Sequence, residues 1–373
     1  MPVALPLLDP PRSAPTAASA APPPAPLTAG PLRDAHNRAI RDLRLSITDR
    51  CNFRCTYCLD PDVRFLPRRE LLSADELLTL ARICVKLGIR KIRLTGGEPT
   101  LHPELERLIA GCAALPIDDL ALTTNGALAT EQSLARWRDL GLRRITFSLD
   151  TLREDRFRAI TRGRTTVVRV LESIRAAIRV GLRPVRVNAV VVRGINDDEV
   201  ADLAGLARDL GCEMRFIEFM PLDAGRRWDR AAVVPADEIR DRIEQRWPLA
   251  PIGRDDASAT ALKFRFADVP QGPAGVGLIA PVTRPFCGAC SRLRITADGK
   301  VRPCLFSRDE WDVRPVLRAA GREENGEQSV ESRERDTALA TFIRSAVWQK
   351  QAGHGISAAD FVPPQRTMSA IGG

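Results

Sequence analysis

The stretch Cys51-Asn52-Phe53-Arg54-Cys55-Thr56-Tyr57-Cys58 follows a strand-like run at 43–48 and decides how the rest of the chain is interpreted. It places three cysteines at the spacing C-x3-C-x2-C. Thiolates favour zinc, copper(I) or iron–sulfur clusters over magnesium and calcium. Three thiolates are one ligand short of filling a four-iron cluster or a tetrahedral zinc site. The missing ligand predicts a metal centre at which another molecule can bind.

A structural zinc site is the main alternative for this motif. Such a site is normally closed by a fourth Cys or His nearby in the sequence. The chain has three histidines, His36, His102 and His354, and none is close to the motif. So few histidines also disfavour a Ser-His-Asp triad or a histidine-rich metal site. The sequence therefore assigns the chemistry to cysteines.

Length and composition indicate one large domain or two unequal ones, with a sizeable core: 373 residues, 44% of them hydrophobic. No apolar run approaches the ~18 residues of a transmembrane helix. Nine cysteines, six of them in two metal-like clusters, and no signal peptide predict a reducing, cytoplasmic location. A net charge of +9 fits an arginine-rich solvated surface and also an anionic partner. Without an RNA-binding fold or an aromatic platform, a small polyphosphate is favoured over nucleic acid.

Apolar strands alternate with amphipathic helices over residues 43–219. The predicted strands cover 43–48, 89–94, 120–124, 144–149, 184–192 and 212–219. This alternation indicates parallel βαβ units in a barrel or a doubly wound sheet. Six units are too few for a closed eight-stranded barrel, so the sequence predicts an α/β fold with a partial (β/α)6 TIM-like barrel. A doubly wound sheet is the alternative.

The predicted organisation has three parts. Residues 1–36 are rich in Pro and Ala and are expected to form a disordered extension. Residues 37–249 form the partial barrel, and 250–373 form a C-terminal region that ends in Gly-Gly. In this last region a charged, mobile surface loop is expected at 321–336, followed by a helix at 336–350.

The C-terminal region carries a second incomplete set of cysteines, at the spacing C-x2-C-x13-C. Its members are Cys287, Cys290 and Cys304. No histidine lies between them, and zinc with a distant fourth ligand is the alternative here. Like the first set, it predicts a metal centre with a vacant position.

Polar motifs follow several predicted strands. They are Arg93–Pro99 with its adjacent glycines, Thr123–Gly126 and Ser148–Asp150. Each alone would be read as a turn or a helix cap. Because βα loops at the carboxyl ends of parallel strands build active sites, their recurrence predicts one site at that end of the barrel.

The first cysteine motif followed by Gly-Gly-Glu-Pro resembles the radical S-adenosylmethionine (SAM) enzymes. The complete set of motifs resembles the GTP 3′,8-cyclase family within that superfamily, over about residues 38–373. The matching stretches are RDLRLSITDRCNFRCTYC, IRLTGGEPTL, LTTNG, SLDTL, GINDDE, RFIEFMPL, FCGACSRLRITADGKVRPCLF and the terminal IGG.

The resemblance implies two [4Fe-4S] clusters and the positions of their ligands. Cys51, Cys55 and Cys58 would hold the first cluster, and Cys287, Cys290 and Cys304 the second. The SAM contacts would be Tyr57, Gly97, Ser148 and Met220. The GTP contacts would be Arg44, Arg93, Thr123, Arg186, Arg292, Leu293 and Arg294. Arg186 departs from the family pattern, which usually has Lys there. The double glycine, Gly372 and Gly373, would reach into the active site.

The resemblance also implies a reaction. SAM bound at the first cluster would yield a 5′-deoxyadenosyl radical that removes hydrogen from ribose C3′ of GTP, and attack on guanine C8 would give (8S)-3′,8-cyclo-7,8-dihydroguanosine 5′-triphosphate. This is the first step of molybdenum cofactor biosynthesis, before cyclic pyranopterin monophosphate synthase. No side chain is expected to act as a catalytic acid or base, no membrane or nucleic acid is an expected partner, and a homodimer is implied.

Two other functions are compatible with parts of the pattern. One is a different radical SAM enzyme with an auxiliary cluster that modifies a peptide, although such enzymes commonly carry a larger C-terminal cysteine set. The other is a non-enzymatic zinc-binding module, which leaves the Gly-Gly-Glu-Pro stretch unexplained.

Overall fold

The structure is a computed structural model that describes residues 21–26, 30–223, 225–226, 228–269, 271–319, 330–358 and 361–372. In these residues one sheet of twelve strands organises the fold. The strands are β1 Asp42–Ser46, β2 Lys91–Thr95, β3 Asp119–Thr124, β4 Arg144–Ser148, β5 Val185–Val191, β6 Glu213–Glu218, β7 Leu249–Gly253, β8 Leu262–Phe266, β9 Gly275–Ile279, β10 Arg292–Ile295, β11 Lys300–Arg302 and β12 Trp311–Asp312. The helices are α1 Ala74–Lys86, α2 Leu105–Ala113, α3 Glu131–Asp139, α4 Glu154–Thr161, α5 Val167–Arg179, α6 Val200–Leu210, α7 Ala236–Glu244, α8 Arg314–Arg318, α9 Val330–Trp348 and α10 Met368–Ile371.

The order of the strands settles the architecture. The sheet runs β12-β11-β10-β1-β2-β3-β4-β5-β6-β9-β8-β7. Strands β1 to β6 are parallel to their neighbours and follow chain order without reversal. A doubly wound sheet would reverse its order at a switch point. The predicted (β/α)6 partial barrel is therefore confirmed.

Alternation within each strand separates the hydrophobic core from the interior of the barrel. In β1, Leu43 and Leu45 are buried in the main hydrophobic core, whereas Arg44 between them points the other way and lines a cavity. The neighbouring strand repeats the pattern with Ile92 and Leu94 in the core. Because successive side chains of a strand face opposite sides of a sheet, the barrel interior keeps a polar lining. That lining positions the candidate site.

Local sequence explains the first helix. Ser73 accepts a hydrogen bond from the Glu76 amide at 3.2 Å, and the Glu76 carboxylate accepts one from the Ser73 amide at 2.7 Å. This capping box satisfies two amides that the first turn would leave without partners. Leu77, Leu80 and Cys84 then recur at helical spacing and are buried against the sheet.

The C-terminal region extends the sheet at both edges. Strand β10 pairs in parallel with β1, and β9 pairs in parallel with β6. The pairs β7–β8, β8–β9, β10–β11 and β11–β12 are antiparallel. The sheet thus continues across residue 250, and the division into 37–249 and 250–373 stays a prediction. Within the described residues, no helix combines the length and apolar character needed to cross a membrane.

Two predictions of disorder or mobility are wrong for the residues that the structure describes. Residues 30–36 are held to the barrel: the side chains of Leu32 and Asp34 are each 1% exposed, and the Leu32 amide donates to the Leu87 carbonyl at 2.7 Å. The segment 21–26 also has a contact, from the Ala25 amide to Ser345 Oγ at 3.2 Å. Residues 1–20 and 27–29 lie outside the described residues.

The charged stretch 321–336 is the second case. Residues 330–336 form the first turns of α9 rather than a loop, because Ser332 and Asp336 face inward and are buried. Asp336 accepts two hydrogen bonds from Arg82, which explains how a charged stretch packs against α1. Residues 321–329 lie outside the described residues.

Candidate active site: two cysteine triads in adjoining cavities

The loop after β1 brings the first triad, Cys51, Cys55 and Cys58, to one cavity of about 190 Å³, called the first cavity. Two backbone hydrogen bonds fix this loop on the end of α4, from Arg54 to the Thr161 carbonyl at 2.7 Å and from Thr56 to the Ile160 carbonyl at 3.0 Å. The three cysteines therefore line the wall of a preformed space.

The donors of the first triad suit an iron–sulfur cluster, because three thiols line the first cavity and no histidine is among its described lining residues. Each thiolate of a four-iron cluster binds its own iron atom. In the part of the chain that the structure describes, no group of three Cys, His, Asp or Glu side chains is placed to hold a single metal ion. Burial raises the pKa of Cys51 to about 11 and that of Cys58 to about 12. Such thiols ionise when a positive centre binds them.

The four predicted SAM residues all line the first cavity. They are Tyr57, Gly97, Ser148 and Met220. At Gly97 two backbone segments of the protein approach closely, because a Cβ there would lie 2.4 Å from the Arg50 carbonyl oxygen. Only glycine fits that approach. Their role as SAM contacts stays a prediction.

The Gly-Gly-Glu-Pro turn is joined to the next strand end by Glu98. Its buried carboxylate accepts hydrogen bonds from Thr124 Oγ1 and from the Asn125 amide, each at 2.7 Å. Burial raises the pKa of Glu98, and these hydrogen bonds oppose the rise. Two stretches that each read as ordinary turns in the sequence are thus one hydrogen-bonded unit beside the first triad.

Asp150 was not predicted as a site residue, although the stretch that contains it was noted. Its carboxylate accepts a 2.6 Å hydrogen bond from the Tyr57 hydroxyl and a 2.9 Å bond from the Val190 amide. Burial raises the pKa of Asp150 to about 6, while both hydrogen bonds act in the opposite direction. It lies in the first cavity and fixes the aromatic ring of Tyr57.

The second triad, Cys287, Cys290 and Cys304, lines another cavity of about 180 Å³, called the second cavity. Arg292 donates from Nε and Nη2 to Cys290 Sγ at 3.4 and 3.2 Å. Burial acts to raise the pKa of Cys290, but the positive charges of Arg292 and Lys350 lower it to about 6. These charges therefore favour the thiolate form of Cys290, which is the form that binds metals.

Five of the seven predicted GTP residues line the second cavity. They are Arg44, Arg93, Thr123, Arg292 and Arg294. Arg294, Arg44 and Arg93 are in register on the adjacent strands β10, β1 and β2. Burial lowers the pKa of Arg44, and the charge of Arg294 lowers it further. A bound polyanion would relieve this repulsion.

Arg186 and Leu293 lie elsewhere. Arg186 lines a third cavity of about 140 Å³, which shares Arg44, Arg93, Arg215, Thr260 and Arg292 with the second. Its Nε is 3.2 Å from Glu213 Oε2. The side chain of Leu293 is fully buried in the hydrophobic core, since it alternates with the two arginines that flank it. Leu293 could therefore contact a substrate through its backbone atoms and not through its side chain.

The C-terminal tail lies between the two cavities. Met368 lines both, and the Gly372 carbonyl accepts a 3.1 Å hydrogen bond from Arg294 Nη1. Gly372 has a φ of +80°, and a Cβ there would lie 2.8 Å from Ser46 Cβ. The tail therefore approaches the active site at Gly372, whereas Gly373 lies outside the described residues.

The two cavities adjoin through common lining residues. Both are lined by Thr123, Asn188, Ile217, Met220 and Met368. A molecule in one cavity is therefore next to a molecule in the other. This arrangement suits a reaction in which a radical formed at one centre acts on a substrate held at the other.

Sequence reasoning missed several lining residues of the second cavity. Arg215 could have been found, since it stands at an alternate position of β6 in register with Asn188 of β5. Lys350 and His354 carry no local signal. They follow α9 and reach the cavity only through the tertiary fold.

Comparison with known proteins agrees with this geometry, beginning with the class. The family model described as "Radical SAM superfamily" matches residues 45–207, and "Molybdenum Cofactor Synthesis C" matches 212–356. The structure of Streptococcus suis SuiB bound to precursor peptide SuiA shares the fold, with a TM-score of 0.55, 14% identity and coverage of 90% of this chain and 77% of that one. The fold and the site define a radical SAM protein.

Curated relatives define the family more narrowly. A GTP 3′,8-cyclase of Corynebacterium glutamicum is 43% identical over 351 residues, which cover 92% of this chain and 89% of that one. A GTP 3′,8-cyclase of Streptomyces coelicolor is 43% identical over 345 residues and covers 92% and 96%. The chain belongs to the GTP 3′,8-cyclase family. Its cofactors are two [4Fe-4S] clusters and SAM.

Proposed function

We propose that the protein converts GTP into (8S)-3′,8-cyclo-7,8-dihydroguanosine 5′-triphosphate, the first step of molybdenum cofactor biosynthesis. The observation that supports this most strongly is the pair of adjoining cavities, each lined by one cysteine triad. The second cavity also has buried arginines in its lining, as a nucleoside triphosphate requires. Its curated relatives carry the same activity in their names.

The first cavity provides the radical-forming site in this proposal. Cys51, Cys55 and Cys58 would hold the first cluster, and Tyr57 and Gly97 would contact SAM. When bound, the cluster and SAM supply a carbon radical able to break an unactivated C–H bond, which no side chain can do by acid–base chemistry. The chain itself keeps Tyr57 in place through Asp150, and Gly97 lines the same cavity.

The second cavity orients the substrate. Arg44, Arg93 and Arg294 present three guanidinium groups from adjacent strands, and Arg215 adds a fourth from β6. Charge-assisted hydrogen bonds from such groups to phosphate oxygens are stronger than neutral ones. A triphosphate bound there would leave the nucleoside near the residues common to both cavities.

The apolar residues between the cavities exclude water from the reacting atoms. Ile217, Met220 and Met368 line both spaces. A carbon radical is consumed by side reactions if the site is loose, so enclosure and fixed orientation are part of the catalysis. The Arg294–Gly372 hydrogen bond holds the tail in this position.

Product analysis tests the proposal. Anaerobically reconstituted protein is incubated with reductant, SAM and GTP, with ATP and CTP as matched controls. We expect the cyclised GTP product and 5′-deoxyadenosine, and with GTP deuterated at C3′ one deuterium in the 5′-deoxyadenosine. Cleavage of SAM without any change in GTP would overturn the proposed substrate. The alternative is a peptide-modifying reaction. Its support is the fold that this chain shares with SuiB.

Finer features belong to the same proposal. The product would pass to cyclic pyranopterin monophosphate synthase, the protein would be a cytoplasmic homodimer, and neither nucleic acid nor membrane would be a partner. Nine free cysteines in the structure agree with a reducing location. Residues 37–249 and 250–373 are proposed as the functional division, with SAM bound mainly by the first and the second cluster by the other.

A further inference from the structure

Lys350 places a buried positive charge at the second triad. It lies two residues beyond α9, is 3% exposed and lines the second cavity. Its ammonium donates to the Arg292 carbonyl oxygen at 2.8 Å and to the Pro303 carbonyl oxygen. Arg292 is two residues after Cys290, and Pro303 directly precedes Cys304. The charge is therefore fixed between the two backbone segments that carry these cysteines.

This charge has no carboxylate partner among the residues that the structure describes. Its hydrogen bonds go to neutral carbonyl groups, and the nearby charges of Arg292 and Arg38 repel it. A buried cation without a counter-ion is costly, so the site is built for an anion. Three thiolates on an iron–sulfur core supply one.

The next residue adds a hydrogen-bond donor on the same side. Gln351 Nε2 is 3.9 Å from Cys304 Sγ. Arg38 holds this turn rigidly, because its guanidinium donates to the carbonyl oxygens of Gln351 at 2.6 Å and of Cys287 at 2.8 Å. Asp34 in turn binds Arg38 at 2.6 Å. The donors therefore keep their positions relative to the triad.

We propose that Lys350, assisted by Gln351, raises the reduction potential of the second cluster and so keeps it easier to reduce. Reduction adds one negative charge to a centre that three thiolates already make anionic. A fixed cation and N–H donors beside the sulfurs stabilise the reduced form more than the oxidised form. The proposal depends on the second cluster and not on which molecule is the substrate, so it survives a failure of the proposed reaction.

A potentiometric titration of the reconstituted holoprotein with dithionite, followed by electron paramagnetic resonance, tests this. The signal that changes on adding SAM belongs to the first cluster, and the unchanged signal belongs to the second. Lys350→Met should shift the second signal to lower potential and leave the first in place. Lys350→Arg should keep the potential of the second signal near that of the parent protein. Lys86→Met removes a half-exposed lysine on α1 and is the matched control, with no shift expected in either signal.

Each outcome decides the proposal. Unchanged potentials in a fully loaded Lys350→Met protein overturn it, and if that protein also binds GTP more weakly, the ammonium serves a substrate anion instead. If Lys350→Met lacks the iron of the second cluster, its potential cannot be measured, and the second signal of Gln351→Leu decides the proposal: a lower potential supports it and an unchanged potential overturns it. Gln351→Leu gives an independent reading, since it should lower the same potential without removing a charge.

Discussion

The Tyr57 hydroxyl donates a 2.6 Å hydrogen bond to the buried carboxylate of Asp150. Tyr57 lies between two cysteines of the first triad, so this bond ties the cysteine loop to the end of β4. We expect Tyr57→Phe to keep the full iron content but to bind SAM about five- to tenfold more weakly, because the ring loses about 1 kcal/mol of positioning energy. Binding is measured by equilibrium titration with SAM. Unchanged affinity would show that the bond does not position the ring.

Asp150 should also make stability depend on pH. Burial raises the pKa of its carboxyl group to about 6 in the folded protein, whereas an unfolded chain has about 3.9. Between these values the folded state binds more protons, so this contribution to the free energy of unfolding falls as pH rises. The free energy of unfolding of Asp150→Asn, relative to that of the parent, should therefore rise by roughly 1 kcal/mol between pH 5 and pH 7. Denaturant unfolding at both pH values checks this. A constant difference would contradict it.

Arg294 is the sharpest test of the triphosphate site. Arg294→Ala should weaken GTP binding about ten- to a hundredfold, because a charge-assisted hydrogen bond is worth about 1.5–3 kcal/mol, and leave SAM binding nearly unchanged. Arg69→Ala removes an arginine whose side chain is 83% exposed and is the control. Arg292 also donates to Cys290 Sγ, and Arg294 also donates to the Gly372 carbonyl oxygen, so the unchanged affinity for SAM is the check that the tail keeps its place. Parent-like GTP affinity in Arg294→Ala would remove it from the proposed contacts.

Cysteine substitutions should separate the two clusters. Cys304→Ala should abolish cyclisation of GTP but leave cleavage of SAM to 5′-deoxyadenosine, because the first triad lines its own cavity. Cys55→Ala should abolish both activities. Cys84→Ala, a buried cysteine of α1 outside both cavities, controls for the loss of a thiol.

The iron content and circular dichroism of each cysteine variant must be measured before its activity, since cluster ligation stabilises the fold. If folded Cys304→Ala cyclises GTP at the parent rate, the second triad is not needed for the reaction.

A substitution at Leu32 tests whether the segment before the barrel contributes to the stability of the fold. Leu32→Ala should lower the free energy of unfolding by about 2–4 kcal/mol, as expected for a leucine that is 1% exposed. Leu128→Ala, at a leucine 47% exposed, should stay within about 0.5 kcal/mol of the parent. Equal effects of the two substitutions, measured by denaturant unfolding, would mean that residues 30–36 do not contribute to the core.

The sequence predicted the barrel well, and it predicted that each cysteine triad comes together, because both depend on local patterns; the role of the triads as cluster ligands stays a prediction. Alternating strands and helices place β1 to β6, and a loop of eight residues brings Cys51, Cys55 and Cys58 together. The prediction for the N-terminal segment is wrong because composition does not show that Leu32 packs in the core and that its amide donates to the distant Leu87 carbonyl. Lys350 could not be predicted for the same reason, since a lysine after a helix becomes a buried cation only when α9 packs on the barrel.

The pairing of β1 with β10 has a consequence for synthesis. Asp42 pairs with Arg292, so the partners are 292 − 42 = 250 residues apart. During synthesis β1 must therefore wait for these 250 residues before its second edge is covered, and contacts of such separation form slowly. Until then the edge of β1, Arg44 included, stays accessible, and the arginine array of Arg294, Arg44 and Arg93 is incomplete. The proposed triphosphate site is therefore completed only when β10 pairs with β1, whereas the first triad lies within one loop of eight residues.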